Sequence, residues 1–217
     1  MYSGSEKTTR KERDHMSDTK RINAGEGEPD AGGESGFLRK KLLESRTILL
    51  SEQVSKSLAE RVNGKLLFLD QEDPAKPVDL YINSPGGDVD AGFAIYDMVR
   101  FISAPVRCIS AGLTASAAVI VLLAAPKERR MSLANSRFLM HQPSTGVQGT
   151  TADVKIEARE ILRMREKINK IIAEETGQSV EKVAKDTKRN YWIGAEEALE
   201  YGLISRIVAS RGELKGE

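Results

Sequence analysis

Two residue types that can do acyl-transfer chemistry stand at strand ends of this chain. Ser116 opens an apolar run in "GLTASAAVIVLLAAP", residues 112–126. His141 ends "RFLMH" and is followed by Gln142 and Pro143. Taken alone, Ser116 reads as a small residue at a helix start, and His141 as a core histidine. Together they offer a nucleophile and its base, because a serine hydroxyl is almost never ionised without a neighbouring proton acceptor. A third element is "NSPGGD", where Gly86 and Gly87 follow Pro85. Two glycines allow a tight turn that leaves backbone N–H groups open to close approach. Such a turn can hold a phosphate or an oxyanion. It carries neither G-x-G-x-x-G nor the G-K-S/T of a P-loop, so neither nucleotide fingerprint applies. Ala117, just after Ser116, contributes an N–H in the first turn of the apolar helix, where backbone donors are unpaired.

These residues need a scaffold that brings strand ends together. The pattern from Phe37 onward supplies one. "RTILL" (46–50), "VDLYI" (78–82), "VRCIS" (106–110), "RFLMH" (137–141) and "LISRIV" (203–208) read as strands. Helical spacing links them, with Val54, Leu58, Val62 and Leu66 in the first connection. "GFAIYDMVRFI" reads as a second helix and 112–126 as a third. A long helix follows over 150–176, its stripe formed by Val154, Ala158, Ile161, Ile168 and Ile172. Thr150 and Asp153 make a capping-box start and Gly177 a C-terminal stop. A short helix from Ser179 and another ending at Gly202 complete the series. Strands alternating with helices predict an α/β fold with a largely parallel sheet. Ligands of such sheets bind beyond the carboxyl ends of the strands, where "NSPGG", Ser116 and His141 all lie.

The remaining composition narrows the classes. The chain has 217 residues and a net charge of +1, from 33 basic and 32 acidic side chains, so nothing global points to nucleic acid or an anionic membrane. Residues 1–36 are polar and read as a disordered arm, with His15 a surface bystander; 37–210 form the domain and 211–217 a polar tail. The lone Cys108 excludes an internal disulfide and a cysteine-based zinc site, and reads as a buried thiol. No run approaches the roughly 18 apolar residues of a membrane span, and the N-terminus has no signal-peptide core. No metal or cofactor site is expected, and a cytoplasmic location is.

Five blocks, in order and spacing, resemble the proteolytic subunit of the Clp protease: "LYINSPGGDVDAGFAIYDMV", "GLTASAA", "RFLMHQP", "EAREILRMREKINKIIAEETGQ" and "AEEALEYGLI". The resemblance runs from about Leu38 to about Val208. It implies the ClpP/crotonase-like fold, with the long helix as a protruding handle between two stacked seven-membered rings of self or paralogous subunits. It implies a serine endopeptidase that degrades unfolded proteins delivered by an AAA+ unfoldase, with Ser116 as nucleophile and His141 as base. It also implies the N–H groups of Gly86 and Ala117 as oxyanion donors, and a substrate strand beside "QPSTGVQGTTAD". ATP is used by the partner, since this chain has no Walker A motif.

Three departures stand out. The position matching the family's triad Asp is Asn190, in "KDTKRNYW". An asparagine carbonyl can orient a histidine but cannot stabilise an imidazolium by charge, so weakened activity follows. Asp186, one helical turn earlier, is a candidate substitute acid. The nucleophile motif carries Ala117 where the family usually has Met, and the N-terminal arm is longer and more polar. The alternative function is therefore a structural or regulatory ring subunit working beside an active paralogue. A crotonase-type acyl-CoA enzyme shares the fold but would not need the Ser–His pair.

Overall fold

A computed structural model describes residues 36–143 and 149–215. The predicted arm, and part of the expected substrate-strand segment, lie outside these residues. The sheet has seven strands: β1 (Thr47–Leu50), β2 (Val78–Ser84), β3 (Val106–Ala115), β4 (Arg130–Leu133), β5 (Arg137–Met140), β6 (Tyr191–Gly194) and β7 (Arg206–Val208). Their order is β1-β2-β3-β4-β7, parallel throughout, with β5 parallel to β3 and β6 antiparallel to β5.

The branch point is β3. Its first half pairs with β4, from Cys108↔Arg130 to Ser110↔Ser132. Its second half pairs with β5, from Leu113↔Arg137 to Ala115↔Leu139. Gly112 sits at the switch with φ 121°, a backbone state that favours glycine. The Asn83 side-chain carbonyl accepts the Leu113 N–H at 3.0 Å, which holds the bend against the β2 bulge between Ile82 and Ser84. So "GLTA" is strand, not the start of the helix expected from 112 onward. The ladder with β5 overrides the helical tendency of its small residues.

The helices are α1 (Gly36–Glu44), α2 (Lys56–Glu72), α3 (Val89–Phe101), α4 (Ala117–Leu123), α5 (Thr151–Thr176), α6 (Val180–Asp186) and α7 (Ala195–Tyr201). Every residue of α4 is buried, as its unbroken apolar run requires. The main core joins α2, α3 and α4 to the apolar positions of β1–β3. Adjacent residues of β3 serve opposite faces: Cys108 points into this core and Ile109 into a second, smaller cluster with Met131, Val208 and Leu214. Leu214 belongs to a 3-10 turn, Arg211–Lys215, in the segment read from sequence as a polar tail.

Helix α5 begins at the expected capping box, where Thr150 and Asp153 satisfy each other's N–H groups, and stops at Gly177 in the left-handed conformation. At 26 residues it is about 39 Å long. Only its C-terminal part is buried, through Ile168, Asn169, Ile172, Ala173 and Thr176. The buried Arg130 fixes that end by donating to the Glu175 carbonyl at 2.8 Å. In the other half of the predicted stripe, Val154 and Ala158 are exposed and Ile161 is half-buried among the described residues. Val154 is 40%, Ile156 55% and Leu162 53% exposed, so the helix protrudes.

Candidate active site

Ser116 is the single residue between the last pair of β3 and the first turn of α4. Its φ of 54° and ψ of −121° are strained for a non-glycine residue. Strain of this kind costs roughly 1–3 kcal/mol and collects at functional sites. Its N–H donates to the Leu139 carbonyl at 2.8 Å, which anchors the turn to β5. Its carbonyl accepts from Val119, and its side chain caps nothing. A serine with the sole task of starting a helix would use that hydroxyl as a cap. Here it is left for other work.

The glycine turn packs directly on this junction. Gly86 has φ 81°. A Cβ built on it would lie 2.7 Å from the Ser116 Cβ and 2.9 Å from the Ala117 nitrogen. Absence of a side chain is what lets the two backbones approach. The Gly86 N–H is buried and donates to the Ser84 hydroxyl at 3.2 Å, and Ser84 in turn donates to the Glu52 carbonyl at 2.5 Å. The Gly87 N–H, half-buried, and the Ala117 N–H have no acceptor among the described residues. Asp88 caps α3 by accepting the Ala91 N–H at 2.7 Å, which fixes the far side of the turn.

His141 continues β5 by one residue. Because β3 and β5 are parallel with Ala115 against Leu139, the strand end carries the imidazole to the level of the serine turn. Ser116 and His141 line one narrow apolar cleft, walled by Val89, Ile120, Met140, Pro143, Ile168 and Ile172. The β5–β6 ladder places the third residue. Its last pair is Met140↔Tyr191, which leaves His141 and Asn190 as the next residue on each strand. The Gln142 N–H donates to the Thr187 carbonyl at 3.1 Å and ties the two segments together beyond the ladder. His141 and Asn190 line a second, more polar concavity with Gln142, Lys188 and Arg189. His141 thus belongs to both hollows, Ser116 on one side and Asn190 on the other. No side-chain hydrogen bond joins the three among the described residues. Bonds of this kind tighten when substrate arrives.

Asp186 does not serve as the substitute acid. Helix α6 ends at Asp186, so Asn190 is not on its face. The carboxylate instead accepts from Lys182 at 2.6 Å and from the Tyr201 hydroxyl at 3.1 Å. Strand β6, which positions Asn190, was missed from sequence; the aromatic and branched "YWI" before Gly194 was its signal. Among the described residues no group of three or more His, Cys, Asp or Glu could hold a metal ion, and no helix is long and apolar enough to cross a membrane.

The protein-family model described as Clp protease matches residues 32–211. The chain belongs to the Clp protease family. It is 52% identical over 182 residues to the ATP-dependent Clp protease proteolytic subunit 2 of Treponema pallidum, covering 84% of this chain and 91% of that one. It is 49% identical over 180 residues to the subunit of the same name from Gluconobacter oxydans, covering 82% and 80%. Among solved structures, an asparagine-to-aspartate mutant of ClpP1 from Listeria monocytogenes superposes with a TM-score of 0.77 at 43% identity, covering 82% of this chain and 99% of that one. The fold expected from the sequence motifs is the fold found.

Proposed function

We propose that this chain is a serine endopeptidase subunit of an ATP-dependent Clp-type protease, cutting unfolded polypeptides delivered to it by a separate ATPase. The observation that carries the reading is Ser116. It sits strained and uncapped at a strand–helix junction, beside two unengaged N–H groups, in one cleft with His141.

The chemistry follows from that arrangement. The substrate carbonyl enters over Ser116 with an apolar side chain in the cleft. The Ser116 Oγ attacks the carbonyl carbon while the His141 ring takes its proton. The carbonyl oxygen gains the negative charge and accepts from the Ala117 and Gly87 N–H groups. Gly87 takes this place in our reading, since the Gly86 N–H is spent on Ser84. Gly86 then acts by having no side chain. Collapse breaks the C–N bond, His141 returns the proton to the leaving amine, and water repeats the sequence to free the acid. Asn190 orients the imidazole without adding charge. No cofactor is needed for these steps. The sites work inside rings built from this chain or a paralogue, in the cytoplasm.

Intact-mass labelling with a serine-reactive fluorophosphonate tests the reading, with Ser116→Ala as control. One adduct on the wild type and none on the variant is the expected result. An unlabelled wild type, alone and with a paralogous subunit present, would leave a structural ring subunit.

A further inference from the structure

We infer that the concavity behind His141, walled by Gln142, Lys188, Arg189 and Asn190, is a carboxylate-binding site, and that a carboxylate held there supplies the negative charge that position 190 lacks. The catalytic half of this inference rests on the Ser116–His141 reading above.

The lining is one-sided in its chemistry. Lys188 and Arg189 are exposed and take part in no ion pair among the described residues. The acid nearest in sequence, Asp186, is already held by Lys182 and Tyr201. Asn190 and Gln142 add amide donors, and no acidic side chain lines the hollow. Two unneutralised cations and two amides around one hollow favour an anion over water.

Its place relative to the catalytic pair sets what the anion would do. His141 lines both this hollow and the cleft of Ser116. A carboxylate lodged between Arg189 and the imidazole therefore lies on the side of the ring away from the nucleophile. There, beside the Asn190 amide rather than in its place, it supplies the charge that a triad acid would. Arginine offers a planar fork that suits a carboxylate bidentately. The ring then takes the Ser116 proton as before, and the carboxylate stays ionised and stabilises the imidazolium by charge. The hollow is open to solvent, so a small carboxylate binds weakly, saturating on the order of 10–100 mM.

The test uses the full-length protein, with sodium acetate replacing sodium chloride at fixed pH and ionic strength. Hydrolysis of a fluorogenic peptide with an apolar residue at the cleavage point should rise saturably, roughly tenfold. Arg189→Gln with Lys188→Gln should lose the acetate response. Asn190→Asp should be fast without acetate and indifferent to it. In parallel, the His141 ring resonances, assigned in a His15→Gln background, should shift saturably with acetate and not with chloride. A saturating response to phosphate but not acetate, or no saturating shift at all, overturns the proposal. So does an active wild type whose rate acetate leaves flat. If the shift saturates while neither wild type nor Asn190→Asp cuts peptide, the site stands and the catalytic reading falls. A rate per subunit that rises with protein concentration in chloride, and loses that rise with Arg189→Gln, identifies a second copy as the source of the carboxylate.

Discussion

His141 and Asn190 each stand one residue beyond the last pair of the β5–β6 ladder, Met140↔Tyr191, and line the same hollow. The antiparallel ladder, rather than a helix face, brings residue 190 to the hollow that His141 lines. A carboxylate at 190 would therefore stand where the amide does now. Asn190→Asp should raise kcat by between tenfold and about 10⁴-fold, the upper figure being the loss seen when a chymotrypsin-like triad Asp becomes Asn. Asn190→Ala should lower it further. Steady-state peptide hydrolysis decides this. An Asp variant no faster than wild type would mean that residue 190 does not address His141.

Gly86 is constrained twice, by its φ of 81° and by the 2.7 Å separation between a built Cβ and the Ser116 Cβ. Gly86→Ala should cost about 2–4 kcal/mol, combining a positive-φ penalty with displacement of the serine turn. It should also abolish labelling of Ser116. Thermal unfolding and intact-mass labelling measure the two effects separately. A variant that keeps wild-type stability would show that the turn can move away from the junction.

The five blocks of sequence were enough to name the fold and to put Ser116 and His141 forward as a pair, because each is a local pattern at a strand end. What stayed hidden is non-local. The extension of β3 through Ala115 depends on pairing with β5, and "GLTA" alone carries no sign of that partner. The four residues of β4 and of β6 are too short to show alternation. The assignment of Gly86 as an oxyanion donor missed a bond to Ser84, two residues back in the chain, that only the folded turn displays. The exposed half of α5 kept its apolar stripe in sequence because periodicity records which face is apolar, not what covers it.

Cys108 lies wholly within the main core, its thiol directed at the Val121 carbonyl at 3.7 Å. Burial disfavours the thiolate and pushes its pKa up to about 12. The reactive form is therefore scarce at any working pH. A disulfide reagent at pH 8 should label the native protein only as fast as it opens, and the denatured protein at once. The native rate should fall far below the denatured rate at every reagent concentration. Native and denatured proteins that react equally fast would place the thiol at the surface.

Leu214 is 4% exposed and fills the smaller cluster with Ile109, Met131 and Val208. Arg107 holds its carbonyl while pairing with Asp79 at 2.6 Å. The turn is thus pinned from both its apolar and its polar side. Leu214→Ala should cost about 2–3 kcal/mol, as for other buried leucines truncated to alanine. Chemical denaturation would show it as a lower midpoint with little change in slope. An unshifted midpoint would mean that the turn is not docked on the sheet in solution.

Val154, Ile156 and Leu162 are exposed apolar side chains on the outer half of α5, Val154 and Leu162 within about 80° of each other and Ile156 on the other side of the helix. No described residue buries them, and exposed apolar groups of this kind are stable in water when a second surface covers them. The handle reading makes that surface the α5 of a facing ring. Ile156→Glu with Leu162→Glu should then leave the fold and melting of the isolated subunit nearly unchanged, since neither side chain is in the core. Assembly should fall instead, because each facing pair would bury carboxylates without partners. Mass photometry at fixed concentration should show the double ring replaced by single rings or smaller species. An assembly of unchanged mass would place the contact between rings elsewhere.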